Sequence, residues 1–557
     1  MTEPTRVLLL LLVLLLAVAA CTSSAEDDAT VRPPQQQEDP DSSAGESEAV
    51  STLEGGTVVI AVPEEPTTLN PWMAEAGGST ATVAGPMLAP LWRVAPDGTS
   101  QPWLLAGQPS EQGGGDGEPF TVSFRIRRDA VWSDGTPIDG ADVLFTLDLC
   151  RRATTREDCA DVDLARSEVD GKVATVAFER PTAGWRSIMA TLPVLPEHAF
   201  RGRDPATTWT RRVSVSSGPF RFESWTPGER LVLVRNERWW GERAALDRIE
   251  FRFVDDVAVA TVGGGDVDVA QVPVAPATLE HARADPRVRA GVAAGPRWLA
   301  LDFNLADPVL ARREVRRALA AAVDRATIVA ELVTPVMSTA EVLDGLPGGP
   351  LVADDQRLDF PAYDPTVAAR ELDAAGCPAA DDGVRVCPEQ RMELTLVTGG
   401  DGWQQRILAE YVRSQLAEIG VVVRLADPGA DGGTEQASEP AGEAAASWDL
   451  RVAAVDIAAD PAIGAARWRC DDPANTQSFC DPGYDGIAQR LRESVDGQTR
   501  AQLNAQAALL LSRELPTYPM YEMPDLLIHA ETVRGPSLNA VSWGPTWNVE
   551  EWARTTN

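Results

Sequence analysis

Two rhythms of apolar spacing divide the chain. In the first, short runs alternate or are continuously β-branched: "GTVVIAV" at 56–62 reads as a buried strand, and "FTVSFRIR" at 120–127 as a strand with one wet face. "RLVLVRN" at 230–236 and "IEFRFV" at 249–254 repeat the two-residue period. Between them, "WSDGTPIDGADVLFTLDLC" turns on Gly and Pro and then becomes helical. Asp142 stands at the start of that helix, where a carboxylate can cap free backbone amides.

The second rhythm has the period of an α-helix. Val315, Leu319, Ala322 and Val323 share one face of a helix. "YDPTVAARELDAAG" carries both end signals, with Asp364 as N-cap, Pro365 at the first helical position and Gly376 as the stop. "MELTLVT" then predicts a strand, and "RILAEYVRSQLAEIG" predicts a helix with Leu408, Tyr411, Val412, Leu416 and Ile419 on one side. Gly420 ends that helix and "VVVRL" starts another strand. Strand, helix and strand at this spacing form a βαβ unit, which makes this part of the chain α/β. "GGTEQASEPAGEAAAS" interrupts it as a surface excursion, and no function attaches to it.

The first 52 residues follow neither rhythm. Val7 to Ala20 is a fourteen-residue apolar run behind Arg6, short for a bilayer span and right for the apolar core of a signal peptide. It ends in Val18-Ala19-Ala20-Cys21, which resembles a bacterial lipobox, so Cys21 is the expected lipidation site. A plain secretory signal is the alternative. Stable anchoring would need more than one acyl chain, because each buried methylene contributes only about 0.8 kcal/mol. Residues 22–52 hold eight acids, one arginine and almost no large apolar side chain, the composition of a disordered tether.

Composition narrows the classes further. At 557 residues and 44% hydrophobic, the chain can bury several cores. A net charge of -34 with no basic stripe argues against a nucleic-acid partner. Lys172 is the sole lysine among many arginines, a bias of composition rather than of function. Seven cysteines divide into Cys21 and three local pairs, Cys150 with Cys159, Cys377 with Cys387 and Cys470 with Cys480. Disulfides in an oxidising compartment fit this spacing, although six cysteines allow about fifteen connectivities. Each loop would contribute about 2–3 kcal/mol in the chain-entropy picture. Zinc is the rival reading, but CxxC spacing is absent and only His198, His281 and His529 are available. Neither an HExxH nor a GxSxG motif occurs, so a secreted hydrolase has no visible nucleophile or metal site, although abundant acids leave a carboxylate glycosidase formally open.

Six segments in order resemble the extracellular solute-binding proteins of family 5, the peptide- and nickel-binding components of ABC importers. They are "TTLNPW", "FRIRRDAVWSDGTPIDGADVLFT", "SSGPFRFESWTPGERLVLVRNERWWG", "GGGDVDV", "LDFNLADPVLARREVRRALAAAVDR" and "DPTVAARELDAAG". The resemblance runs from about Gly56 to the C-terminus. It implies a periplasmic-binding-protein-like α/β fold of cluster C type, two α/β lobes on a hinge with a smaller α+β domain inserted in the first. The first lobe would comprise 53–92, 213–302 and 530–557, the insert 93–212, and the second lobe 303–529, behind a signal peptide at 1–20 and a tether at 21–52.

The implied function is capture of a peptide or other small solute between the lobes, without cofactor, metal or catalytic residues, and delivery to a permease and ATPase complex. The implied protein is an extracytoplasmic, lipid-anchored monomer. A sensor that presents its bound form to a receptor is the alternative. By resemblance, Glu65, Thr67 and Thr68 line the cleft after the first strand. Asp456 lies nearest the carboxylate that holds a peptide ammonium in relatives, with Ala453 and Ala454 where those relatives carry an aromatic. Trp403 and Arg406 fall where relatives place a ligand-facing aromatic and an arginine, which could hold a carboxylate bidentately. The Trp239–Trp240 pair reads as core packing, and "CDDPANTQSFC" resembles a disulfide loop of dipeptide-binding relatives.

Overall fold

The structure is a computed structural model. It describes residues 52–73, 79–96, 99–114, 118–152, 159, 161–182, 184–186, 188, 193–254, 257, 266–345, 358–399, 402–426, 448–457, 460–540 and 544–556. The expected signal peptide at 1–20, Cys21, nearly all of the expected tether and the excursion at 432–447 lie outside these residues.

Among the described residues ten strands join in one sheet. Their order is Val422–Ala426, Glu393–Thr398, Leu450–Asp456, Val288–Phe303, Thr517–Ala530, Val269–Pro273, Thr57–Val62, Arg248–Phe253, Arg230–Arg235 and Phe220–Thr226. The two long central strands, Val288–Phe303 and Thr517–Ala530, pair antiparallel along most of their length and cross from one half of the sheet to the other. Their register breaks between Ala294 and Trp298 and again between Leu299 and Ala300. Such a break bends and twists a strand pair locally. Here it falls at the middle of the crossing.

Alternation along the strands explains the layering of the second half. Leu299 and Leu301, with Leu450 and Val452, point into one core, against the helices Arg313–Ala321 and Trp403–Glu418. Trp298 and Ala300, with Ala453 and Val455, point to the opposite face and pack on Trp468, Tyr484, Leu503 and Leu511. The sheet is therefore covered on both sides, as its apolar runs require. The strand Glu393–Thr398 pairs parallel with Val422–Ala426 through the helix Trp403–Glu418, the βαβ unit expected from the sequence.

The first half has a different plan. A four-stranded antiparallel sheet, Ser110–Gln112, Phe120–Arg125, Val173–Phe178 and Val162–Asp170, stands apart from the large one in its pairing. It shares one continuous core with the large sheet, in which Phe124, Trp132 and Val176 join Val58, Ile60 and Phe251. "TTLNPW" makes part of that connection. Asn70 is fully buried, its amide donates to the carbonyls of Pro205 and Thr208, and Trp72 Nε1 donates to Pro193 O at 2.9 Å. Trp239 and Trp240 pack against each other and Trp103. At Gly218 a Cβ would stand 2.4 Å from the Pro86 carbonyl oxygen, so only glycine allows the backbones to meet there.

At the start of the helix Gly140–Arg152, Asp142 accepts free backbone amides as expected, and Asp139 shares the capping. Asp139, just before the helix, accepts from Ala141 N at 2.9 Å. Asp142 is buried, and accepts from Trp132 Nε1 at 3.0 Å and from the amides of Asp139 and Glu197. Burial pushes its pKa up and these three donors offset part of that shift. Asp364 caps its helix as expected, accepting from Val367 N at 2.9 Å. The structure joins Cys150 to Cys159, Cys377 to Cys387 and Cys470 to Cys480.

Candidate functional site

Parallel strands bring their carboxyl ends to one edge, and loops leaving that edge are where α/β folds build ligand sites. In the first half, Thr57–Val62 runs parallel to Arg248–Phe253 and Val269–Pro273. Glu65, Thr67, Thr68 and Val274 follow its carboxyl edge. In the second half, Glu393–Thr398 and Leu450–Asp456 are parallel, so Trp403 and Asp456 follow theirs. Trp403 Nε1 donates to Val274 O at 2.9 Å, so the two carboxyl edges meet beside the crossing strands.

The residues read from the sequence fall into distinct settings. Glu65 accepts from Trp225 Nε1 at 2.7 Å and Gly228 N at 3.0 Å, and faces Arg211 at 3.5 Å, so its carboxylate already holds a neighbouring hairpin. Thr67 is exposed, whereas Thr68 is buried and its hydroxyl accepts from Asn70 N. Trp403 is half-buried against the second core. Arg406, one turn along the same helix, is exposed. Asp456 ends its strand with one side open to solvent and protein on the others.

Charge gathers at this point. Arg297 is paired across the strands with Asp456, in the stretch where the crossing strands lose register. Asp525, on the neighbouring strand, is 9% exposed and accepts from Gln271 Nε2 at 2.9 Å. Burial raises the pKa of Asp525, and Gln271 and Arg297 pull it partly back. Burial likewise raises Asp456, opposed by Arg297 and Arg467. Gly295 lies so close to Asp525 that a Cβ would stand 2.8 Å from its Cγ. Sequence reading missed Arg297, Gln271, Asp525 and Arg467. A visible signal existed for Asp525, one of two acids, with Glu522, in the apolar run "TYPMYEMPDLLIHA".

Among the described residues no group of three or more His, Cys, Asp or Glu side chains is placed to hold a metal ion. His198 pairs with Asp134 at 3.0 Å near the surface. No described helix is long and apolar enough to cross a membrane.

Two α/β halves joined by crossing strands, with charged and aromatic groups where their carboxyl edges meet, define the architecture of a hinged, two-lobed binding protein of the periplasmic type. Residues 114–457, more than half of the chain, match the family model of the bacterial extracellular solute-binding proteins, family 5 (middle region), and the chain belongs to that family. It is 28% identical over 471 residues to Protein XP55 of Streptomyces lividans, covering 80% of this chain and 81% of that one. It is 26% identical over 522 residues to the oligopeptide-binding protein OppA of Mycobacterium tuberculosis (strain ATCC 25618 / H37Rv), covering 87% and 82%. The periplasmic EDTA-binding protein EppA superposes with a TM-score of 0.79 at 24% identity, covering 92% of this chain and all of that one, a likeness of fold.

Proposed function

We propose that the chain is the solute-capturing lipoprotein of an ABC importer, binding a peptide or peptide-like compound between its two lobes and presenting it to a membrane permease. The observation that carries this reading is Asp456, a carboxylate with one side open to solvent at the carboxyl edge of the second half, opposite Arg297 where the crossing strands lose register. A solute ammonium placed there would make a charge-assisted hydrogen bond with the side of the carboxylate that faces solvent. Family membership and the likeness to the oligopeptide-binding OppA support the choice of cargo.

The lobes would follow the division expected from the sequence, with 53–92, 213–302 and 530–557 in the first, 93–212 inserted in it, and 303–529 in the second. Closure would bend the two central strands where their register breaks. Thr67 and Trp403 would contact the solute from opposite edges. Glu65, Thr68 and Arg406 complete the proposed cleft, Glu65 and Thr68 mainly by holding the loop that carries Thr67. A disordered tether ending in an acylated Cys21 would keep the body near its permease and raise its effective concentration there.

Native mass spectrometry of the protein as purified, with melting temperatures measured against short peptides, tests the cargo. A peptide retained through purification and a rise in melting temperature on adding it back are expected. Turnover of a substrate with no tightly held solute would refute the reading. For the anchor, Cys21→Ala should release the protein into the medium. Continued acylation and membrane retention would show that the anchor lies elsewhere.

A further inference from the structure

The helix Pro482–Glu493, from the second half, ends against the four-stranded sheet of the first. Opposite charges alternate where they meet. Asp161 stands just before the strand Val162–Asp170 and is 5% exposed. Its carboxylate accepts from Arg180 at 2.7 Å, on its own side, and from Arg492 at 3.3 Å, from the helix. Arg180 in turn faces Glu493 at 3.5 Å, and Gln489 donates to Glu493 from the preceding turn of the helix. Val495, just past the helix, is half-buried against the core of the first half.

Both sides of this contact are fixed in place. Cys159, fully buried, is bonded to Cys150 on the helix Gly140–Arg152, and Asp161 O accepts from Glu179 N at 2.8 Å. On the other side, Arg500 donates to the carbonyls of Leu491 and Ser494, which flank Arg492 and Glu493, and to the carboxylate of Asp460. Asp460 follows Asp456 beyond the carboxyl end of the strand Leu450–Asp456. The charged end of the helix is therefore tied to the carboxyl edge of the second half, the edge from which Trp403 reaches Val274. Parting the two halves at this edge would separate Arg492 from Asp161 and Glu493 from Arg180. Asp161 would keep Arg180, so no buried carboxylate would be stranded and the contact can open at modest cost.

We propose that Asp161, Arg180, Arg492 and Glu493 form an ionic clasp that holds the two lobes closed, and that its strength sets how often the empty protein is closed. In the lobe division proposed above, hinge motion carries the four-stranded sheet with the first lobe and the helix Pro482–Glu493 with the second. Solute enclosed by the closed form binds more weakly overall when that form is less populated, so the clasp adjusts affinity without touching the solute. Arg180 and Glu493 are open to solvent, and salt screens pairs of this kind. Capture should therefore weaken as ionic strength rises. The clasp rests on the hinged, two-lobed reading and is independent of the nature of the cargo.

The test reads energy transfer in single molecules of the full chain carrying Cys21→Ala, freed of solute by dialysis. A donor and an acceptor dye are attached through Val169→Cys and Ile463→Cys, two exposed positions on the two sides of the contact. Two states of transfer efficiency are expected, closed and open. Arg492→Gln combined with Glu493→Gln should lower the closed-to-open ratio about fivefold at low salt, the scale of a partly exposed charge network. In about 0.5 M NaCl the chain without these two changes should fall to the same ratio. Arg490→Gln removes an exposed charge of the same helix that pairs only with Gly486 O, and should leave the ratio unchanged. The melting temperature should stay the same in all three, because Asp161 keeps Arg180. An unchanged or increased ratio in the double variant overturns the clasp and leaves the hinge standing. A single transfer efficiency in every variant and at every salt concentration overturns the hinged reading, and the clasp with it.

Discussion

Arg500→Met is expected to destabilise the unliganded protein by about 3–5 kcal/mol, read as a fall in denaturant midpoint at unchanged slope. Arg500 Nη2 donates to both Asp460 carboxylate oxygens, at 2.7 and 2.6 Å, and Asp460 is completely buried. Asp460 also accepts from Ala462 N at 2.8 Å and so starts the helix Pro461–Ala466. Arg500 Nη1 reaches the carbonyls of Leu491 and Ser494 at the end of the helix Pro482–Glu493. One guanidinium therefore ties together three helices that pack on this face of the sheet. Methionine keeps much of the volume but leaves a carboxylate buried without its counter-charge, which is why the loss should be large. Adding Asp460→Asn to Arg500→Met should recover part of it, because the stranded charge is then gone. A single-variant loss under about 1 kcal/mol would show that the pair is not a strut of this region.

Legibility in the sequence tracked how local the cause is. The strands at 57–62 and 230–235, the helix capped by Asp364 and the βαβ unit around Trp403–Glu418 all stand where apolar period and end residues put them. Their signals lie within a few residues of their effects. Arg316 shows the opposite case. It is 2% exposed on the helix Arg313–Ala321, and donates to Leu310 O at 2.7 Å, Ala311 O at 2.9 Å and Leu515 O at 3.2 Å. Burial brings its pKa down to about 10. Nothing near Arg316 in the chain announces carbonyls supplied by residue 515. The candidate site divides in the same way. Asp456 and Trp403 were proposed because the segments that hold them resemble segments of relatives, but Arg297, Gln271 and Asp525 come from three separate strands. Only the pairing of the crossing strands brings them together. Glu65 was proposed from its place after the first strand, and its bonds to Trp225 and Gly228 depend on a hairpin more than 150 residues away.

Asp456→Asn should separate binding from stability and change both with pH. If the carboxylate holds a solute ammonium, its loss should weaken binding by about 30-fold or more, the lower end of what removing one partner of a desolvated charge pair costs, ~2 kcal/mol. Titration calorimetry of the retained solute checks this. Burial raises the Asp456 pKa above that of an ordinary aspartate, with Arg297 and Arg467 working against the rise. Wild-type affinity should therefore fall as pH drops through that raised value, sooner than an exposed aspartate would lose its charge. In the Asn variant, affinity should be low and should lack this step. Stability has the opposite sign. A carboxyl whose folded pKa lies above its unfolded pKa contributes most below the unfolded value, and that contribution is lost as pH rises through the folded value. At neutral pH the unliganded Asn variant should accordingly melt no lower than wild type. A variant that loses stability and keeps its affinity would show that Asp456 serves the fold through Arg297 and Arg467 and that the solute's cationic group lies elsewhere on the edge.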